Sequence, residues 1–141
     1  MPDKPIFPTP QDAEAAFYEA IEQANLDQLM QVWAEDEDIV CVHPGGSRIV
    51  GYNAIRETWR RIFEGGQPLQ LRLTDYTTID TPFASVHSMI QEVFVRDDES
   101  KRAPLVATNV FIRGAIGWRL VLHHVSPAPP HISDDRPLVL H

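Results

Sequence analysis

Apolar residues recur at helical spacing through the first third of the chain and at alternate positions through the second half. Ala13, Ala16, Phe17, Ala20, Ile21 and Ala24 form one helical stripe with Tyr18 at its edge. Thr9-Pro10-Gln11-Asp12 announces that helix, with Thr9 as cap and Pro10 in the first turn. Asn25 stops it and can cap a short second helix whose inner face carries Leu26, Leu29, Met30 and Trp33. A third helix over 51–64 presents Ile55, Trp59, Ile62 and Phe63 on one face, and Gly65-Gly66 ends it. Between the second and third, Ile39 to Val42 reads as a strand entering the turn His43-Pro44-Gly45-Gly46, and Arg48-Ile49-Val50 as a short return.

The remainder predicts β-structure. Leu69, Leu71 and Leu73 alternate with polar residues; Phe83 to Val95, Leu105 to Arg113 and Trp118 to Val125 follow as further strands. The polar turn Asp97 to Lys101 and Gly114-Ala115-Ile116-Gly117 join them. Three N-terminal helices and an antiparallel meander make an α+β domain over 1–126, with a proline-rich tail over 127–141. In the third of these strands Ala107 and Phe111 oppose Val106, Val110 and Ile112; in the fourth Trp118, Leu120 and Leu122 oppose Val121 and Val125. Strands apolar on both faces need cover on both sides. The helices supply one cover, and a second copy of the chain, a homodimer, is the economical supply of the other.

Composition narrows the partners. The 141 residues fit one ordinary domain, and 43% hydrophobic residues suffice for a core. A net charge of −8, from 12 basic against 20 acidic residues, repels phosphate backbones and anionic lipid, so neither nucleic acid nor membrane is an expected partner. Met1 to Pro10 has no apolar stretch of a signal peptide, and no segment approaches the roughly 20 apolar residues of a membrane span, which implies the cytoplasm. The single cysteine, Cys41, lies in an apolar run and reads as a small buried hydrophobe. No convergent His, Cys or carboxylate set and no phosphate-cradling glycine loop appears, so neither a metal nor a cofactor is expected.

Several residues carry candidate chemistry. His43 should share the interior face of Cys41 and could act as a general acid or base, or simply lock its turn. His123 and His124 must point to opposite faces and cannot both line one pocket; His124, in register with Trp118, could serve a pocket or sit at the sheet edge or a dimer interface. Asn109 stands mid-strand, where a buried amide needs a partner and could orient a ligand oxygen. Tyr18, Trp33, Trp59 and Phe63 bring aromatic bulk as core, pocket wall or both.

Four stretches together resemble the nuclear transport factor 2-like superfamily and, within it, the SnoaL-like branch. They are Ala16-Phe17-Tyr18 through Trp33; Asp38 through His43-Pro44-Gly45-Gly46; Gly51-Tyr52-Asn53-Ala54-Ile55 through Trp59; and Gly117-Trp118-Arg119-Leu120-Val121 with His124 and Ser126. The likeness covers roughly residues 10–126. It implies a cystatin-like cone, a strongly curved sheet around the helices, with a pocket at the wide end and a dimer formed through the sheet. The catalytic sets of the isomerase, epoxide hydrolase and dehydratase branches do not carry over. Three readings follow. The first is a protein binding a small, largely apolar molecule. The second is an isomerase, dehydratase or cyclase with His43 or His124 as base and Asn109 as hydrogen-bond donor. The third is an association module using the dimer face and the tail.

Overall fold

The computed structural model describes residues 4–66, 68–95 and 104–128. Helix α1 spans Pro10–Gln23, α2 Leu26–Val32 and α3 Tyr52–Gly65; the strands are β1 Val40–Val42, β2 Arg48–Val50, β3 Leu69–Asp80, β4 Ala84–Val95, β5 Leu105–Gly114 and β6 Gly117–Pro127. The helix starts follow from local chemistry. Thr9 Oγ1 accepts from Asp12 N at 3.0 Å and Asn25 Oδ1 from Gln28 N at 3.1 Å, each satisfying an amide that the first turn leaves free.

The six strands form one curved sheet in the order β2-β1-β6-β5-β4-β3. The meander expected from β3 to β6 is present, every neighbouring pair antiparallel. It is extended by β1, which lies parallel to β6 with Cys41 opposite His123, so the sheet is mixed. Strand β6 continues to Pro127, opposite Leu105, beyond the Ser126 boundary read from the sequence. The Asp97–Lys101 turn and residues 129–141 of the tail lie outside the described residues.

Phe17, Leu29, Trp33, Ile55, Phe111 and Leu120 are fully buried where the helices meet the inner sheet face. Trp33 bridges to Leu120, and Ala34 N donates to Leu120 O at 2.9 Å, tying the end of α2 to β6. Among the described residues no helix is long and apolar enough to cross a membrane.

Two irregularities decide which side chains face inward. In β3, Thr74 pairs with Ile90 and Thr77 with Ser88, so Asp75 and Tyr76 together oppose one residue; Asp75 takes the left-handed φ of 56°. In β6, Val110 pairs with Leu122 but Phe111 with Leu120, leaving Val121 as the extra residue. Such bulges bend the strand and shift its alternation by one position.

Candidate active site

Helix α1 supplies the first half of the site. Glu14 and Tyr18 are one turn apart and flank the apolar stripe of Ala13 and Phe17, so packing that stripe on the sheet buries both, at 5% exposure each. The other half comes from β4 and β5. On β4 the inward residues are Ser85, His87, Met89 and Gln91, all buried, while Val86 and Ile90 face outward. Asn109, on β5 directly opposite His87, is fully buried too.

These side chains form one network. Asn109 Nδ2 donates to Glu14 Oε2 at 3.0 Å and to Tyr18 Oη at 2.9 Å. Its Oδ1 faces His123 Nδ1 at 2.6 Å. With both amide donors committed, Asn109 can only accept there, so His123 carries its proton on Nδ1. Burial first, reinforced by the nearby His43 and His124, holds the His123 pKa down to about 3, and the ring is neutral. Burial also raises the Tyr18 phenol; the Asn109 hydrogen bond opposes this and the Glu14 charge adds to it. Tyr18 therefore keeps its proton, which it donates to Met89 Sδ at 3.5 Å.

His87 Nδ1 stands 3.0 Å from Glu14 Oε2 and its Nε2 3.0 Å from Ser85 Oγ. Ser85 donates its only proton to Asp80 Oδ1 at 2.5 Å, so it must accept from His87 Nε2–H. One proton then lies between Glu14 and His87, whichever of the two holds it. Glu14 Oε2 thus serves two neighbours, while Oε1 makes no hydrogen bond among the described residues.

Glu14, Tyr18 and His87 border a cleft of about 340 Å³, closed by Gln11, Tyr76 and Thr78. The β3 bulge brings this rim about: past Asp75 the inward set moves from Leu69, Leu71 and Leu73 to Tyr76 and Thr78, and Thr78 lies opposite His87. The volume sits within the range of small-molecule sites, about 300–1,000 Å³.

The residues singled out from the sequence divide between three places. Tyr18 and Asn109 belong to the network. Trp33 is buried edge-on to Phe17 at 6.1 Å in the core. Trp59 packs against His43 at 4.9 Å and Phe63 at 5.7 Å; Phe63 borders a second, aliphatic cleft of about 430 Å³ with Ile21, Ile62 and Leu69. His43 shares a face with Cys41 as its spacing predicts, Nε2 lying 3.6 Å from Sγ, and burial lowers its pKa. The expectation for His124 is corrected. His124 is exposed and His123 faces the interior, because the extra residue Val121 inverts the alternation that strict counting from Trp118 assumes. Glu14, His87 and Ser85 were not singled out. Spacing of Glu14 four residues before Tyr18, beside the apolar stripe, is the one signal that pointed to it. Among the described residues no three His, Cys, Asp or Glu side chains converge as metal ligands.

A curved sheet around three helices defines the nuclear transport factor 2-like, cystatin-like class of fold. Within it the chain belongs to the SnoaL-like domain family, whose pattern matches residues 11–130. It is similar to a structure from Thiobacillus denitrificans named as a candidate calcium/calmodulin-dependent protein kinase type II association domain. The identity is 38% and the TM-score 0.80, over 89% of this chain and 99% of that one. It is also similar to a candidate dehydratase of the nuclear transport factor 2-like family from Streptomyces avermitilis, at 28% identity and TM-score 0.74, over 83% and 91% of the two chains. A protein from Pseudomonas putida described as nuclear transport factor 2-like and of unknown function shares the fold, at 18% identity and TM-score 0.75 over 91% and 89%. No curated protein gives a significant sequence match.

Proposed function

We propose that the chain binds a small, largely apolar molecule in the cleft beneath α1 and that Glu14 takes a proton from it. The observation that carries this reading is the state of Glu14: one oxygen held by His87 and Asn109, the other without a partner among the described residues, on a residue bordering the cleft. Two hydrogen bonds to Oε2 orient the carboxyl group so that Oε1 is presented to a ligand. Stability alone does not account for the arrangement. Apolar residues in place of a buried ion pair are often neutral or stabilising by about 1–4 kcal/mol. Tyr18, with its proton retained, is the donor for negative charge developing on a ligand oxygen. In this reading His87 acts through Glu14, and His43 and His124 take no part. The name of the Streptomyces avermitilis relative, a candidate dehydratase, agrees with chemistry that begins by removing a proton.

The test is deuterium incorporation from heavy water into a panel of small apolar ketones, followed by NMR. Wild type is expected to exchange the hydrogens beside the carbonyl of those ketones that bind. Glu14→Gln is expected to keep ligand binding and to slow exchange by about 10²–10⁴-fold. Equal exchange in both proteins would overturn the assignment. Binding to wild type without any exchange would leave a binding protein only.

An association role is favoured by a separate observation. The outer sheet face carries half-buried Val86, Ile90, Val106, Val110 and Leu122, with Ile112 47% and Ile79 62% exposed. A second copy packed on this face is the occupant we propose, in agreement with the name of the Thiobacillus denitrificans relative. Sedimentation velocity is expected to give a dimer that Val110→Glu converts to a monomer; a wild-type monomer would end this reading.

A further inference from the structure

The buried pair Glu14 and His87 does not end at His87. His87 Nε2 meets Ser85 Oγ at 3.0 Å, and Ser85 Oγ meets Asp80 Oδ1 at 2.5 Å. Glu14, His87 and Ser85 are buried; Asp80 is exposed. The contacts therefore lead without a gap from the cleft, through the sheet's inner face, to bulk water.

The far end is held in place by the hairpin joining β3 to β4. Asp80 and Ser85 are direct cross-strand partners. Between them Thr81 N and Oγ1 both donate to Ala84 O at 2.8 Å, and Ala84 N donates to Thr81 Oγ1 at 2.9 Å. Three hydrogen bonds across one tight turn keep the carboxylate and the hydroxyl together.

We propose that Ser85 and Asp80 are a proton-exchange path for the Glu14–His87 pair, connecting it to solvent on the side away from the ligand. This rests on the reading of Glu14 as the proton acceptor. When a proton arrives at Glu14 Oε1, His87 keeps or gains the proton on Nδ1 and passes the one on Nε2 to Ser85 Oγ. Ser85 passes its own hydroxyl proton to Asp80 Oδ1, and Asp80 releases it to water. Each O–H or N–H bond broken is matched by one formed, and no electrons are transferred. One proton enters and one leaves, so the Glu14–His87 pair has no net charge before or after. That matters in a buried site, where an uncompensated charge costs several kcal/mol. A ligand seated in the cleft would cover Glu14 and shut off water there, leaving Ser85 and Asp80 as the way out. Ser85 and Asp80 touch neither the ligand nor the reacting atoms in this scheme; they are positioning and exchange residues.

The experiment reads the proton itself rather than turnover. In full-length chain with 15N-labelled histidine, exchange of the His87 Nε2 proton with water is measured by magnetisation transfer at fixed pH. Ser85→Ala and Asp80→Asn are each expected to slow that exchange at least about tenfold, while Nδ1 keeps the chemical shift of its pairing with Glu14. Asp80→Asn keeps an acceptor for Ser85 and removes only the basic oxygen. It lies on the surface, so it decides the matter even if Ser85→Ala fails to fold. Unchanged or faster exchange in Asp80→Asn would overturn the path. Equal ketone exchange in wild type and Glu14→Gln, together with slowed Nε2 exchange in Asp80→Asn, would instead overturn the assignment of Glu14 and leave the path standing.

Discussion

Asn109 holds Glu14 from the far side of the domain: its Nδ2 donates to Glu14 Oε2 across 3.0 Å, although 95 positions separate the two in sequence. The same amide reaches Tyr18 and His123, so one fully buried side chain sets the orientation of three titratable groups. An amide suits this position because it donates two hydrogen bonds and accepts others without carrying charge.

Removing it should be costly. Asn109→Ala leaves Glu14, Tyr18 and His123 each short of a buried partner, and a loss of about 3 kcal/mol is expected. Urea unfolding followed by tryptophan fluorescence measures it. A loss below about 1 kcal/mol would mean that the three groups find other partners.

Acid should destabilise the fold through His123. Its folded pKa, about 3, lies below the ordinary value of 6.5, so the unfolded chain binds the proton first. The stability that neutral His123 contributes is full above about pH 6.5 and is lost as pH falls from there towards 3, by up to about 1.4 kcal/mol per pH unit. His43, also lowered by burial, adds loss of the same sign. His123→Gln keeps a donor for Asn109 and should flatten the dependence of the urea midpoint between pH 7 and 4.5. His124→Gln, at an exposed position, should leave the wild-type curve in place.

Cys41 should be inert in the native protein. It is fully buried, and burial pushes its thiol up to about 12, so almost no thiolate exists at pH 8. Iodoacetamide followed by intact-mass measurement should label it only in urea. Rapid native labelling would show that β1 opens readily or that His43 activates the thiol.

Gly117 should not tolerate a side chain. It has φ +90°, and a Cβ there would lie 2.6 Å from Phe7 O, where the N-terminal segment lies beside β6. Gly117→Ala should cost about 1–3 kcal/mol and expose Phe7 to early proteolysis. An unchanged melting temperature would show that the Phe7 bridge contributes nothing.

Much of the fold was legible because its signals are local. Thr9 and Asn25 cap helices by reaching three residues along the chain, and the stripe of Ala13, Phe17, Ala20 and Ile21 needs no distant partner to be recognised. The site was less legible. On β6 the register with Trp118 chose His124, and in β4 the alternation of Ser85, His87 and Gln91 with Val86 and Ile90 does not by itself say which set faces inward. Two rules mislead there. An extra residue inverts a period of two, and a strand with a cleft on its inner face turns polar residues to the inside.

The helices, the strands and the family likeness were determined by the sequence alone, since propensity, capping and periodicity act within a few residues. The pairing of Glu14 with His87, of Asn109 with His123 and of Asp80 with Ser85 was decided by tertiary structure. Each depends on strand register, and the bulges at Asp75 and Val121 that set the register arise only when neighbouring strands are paired.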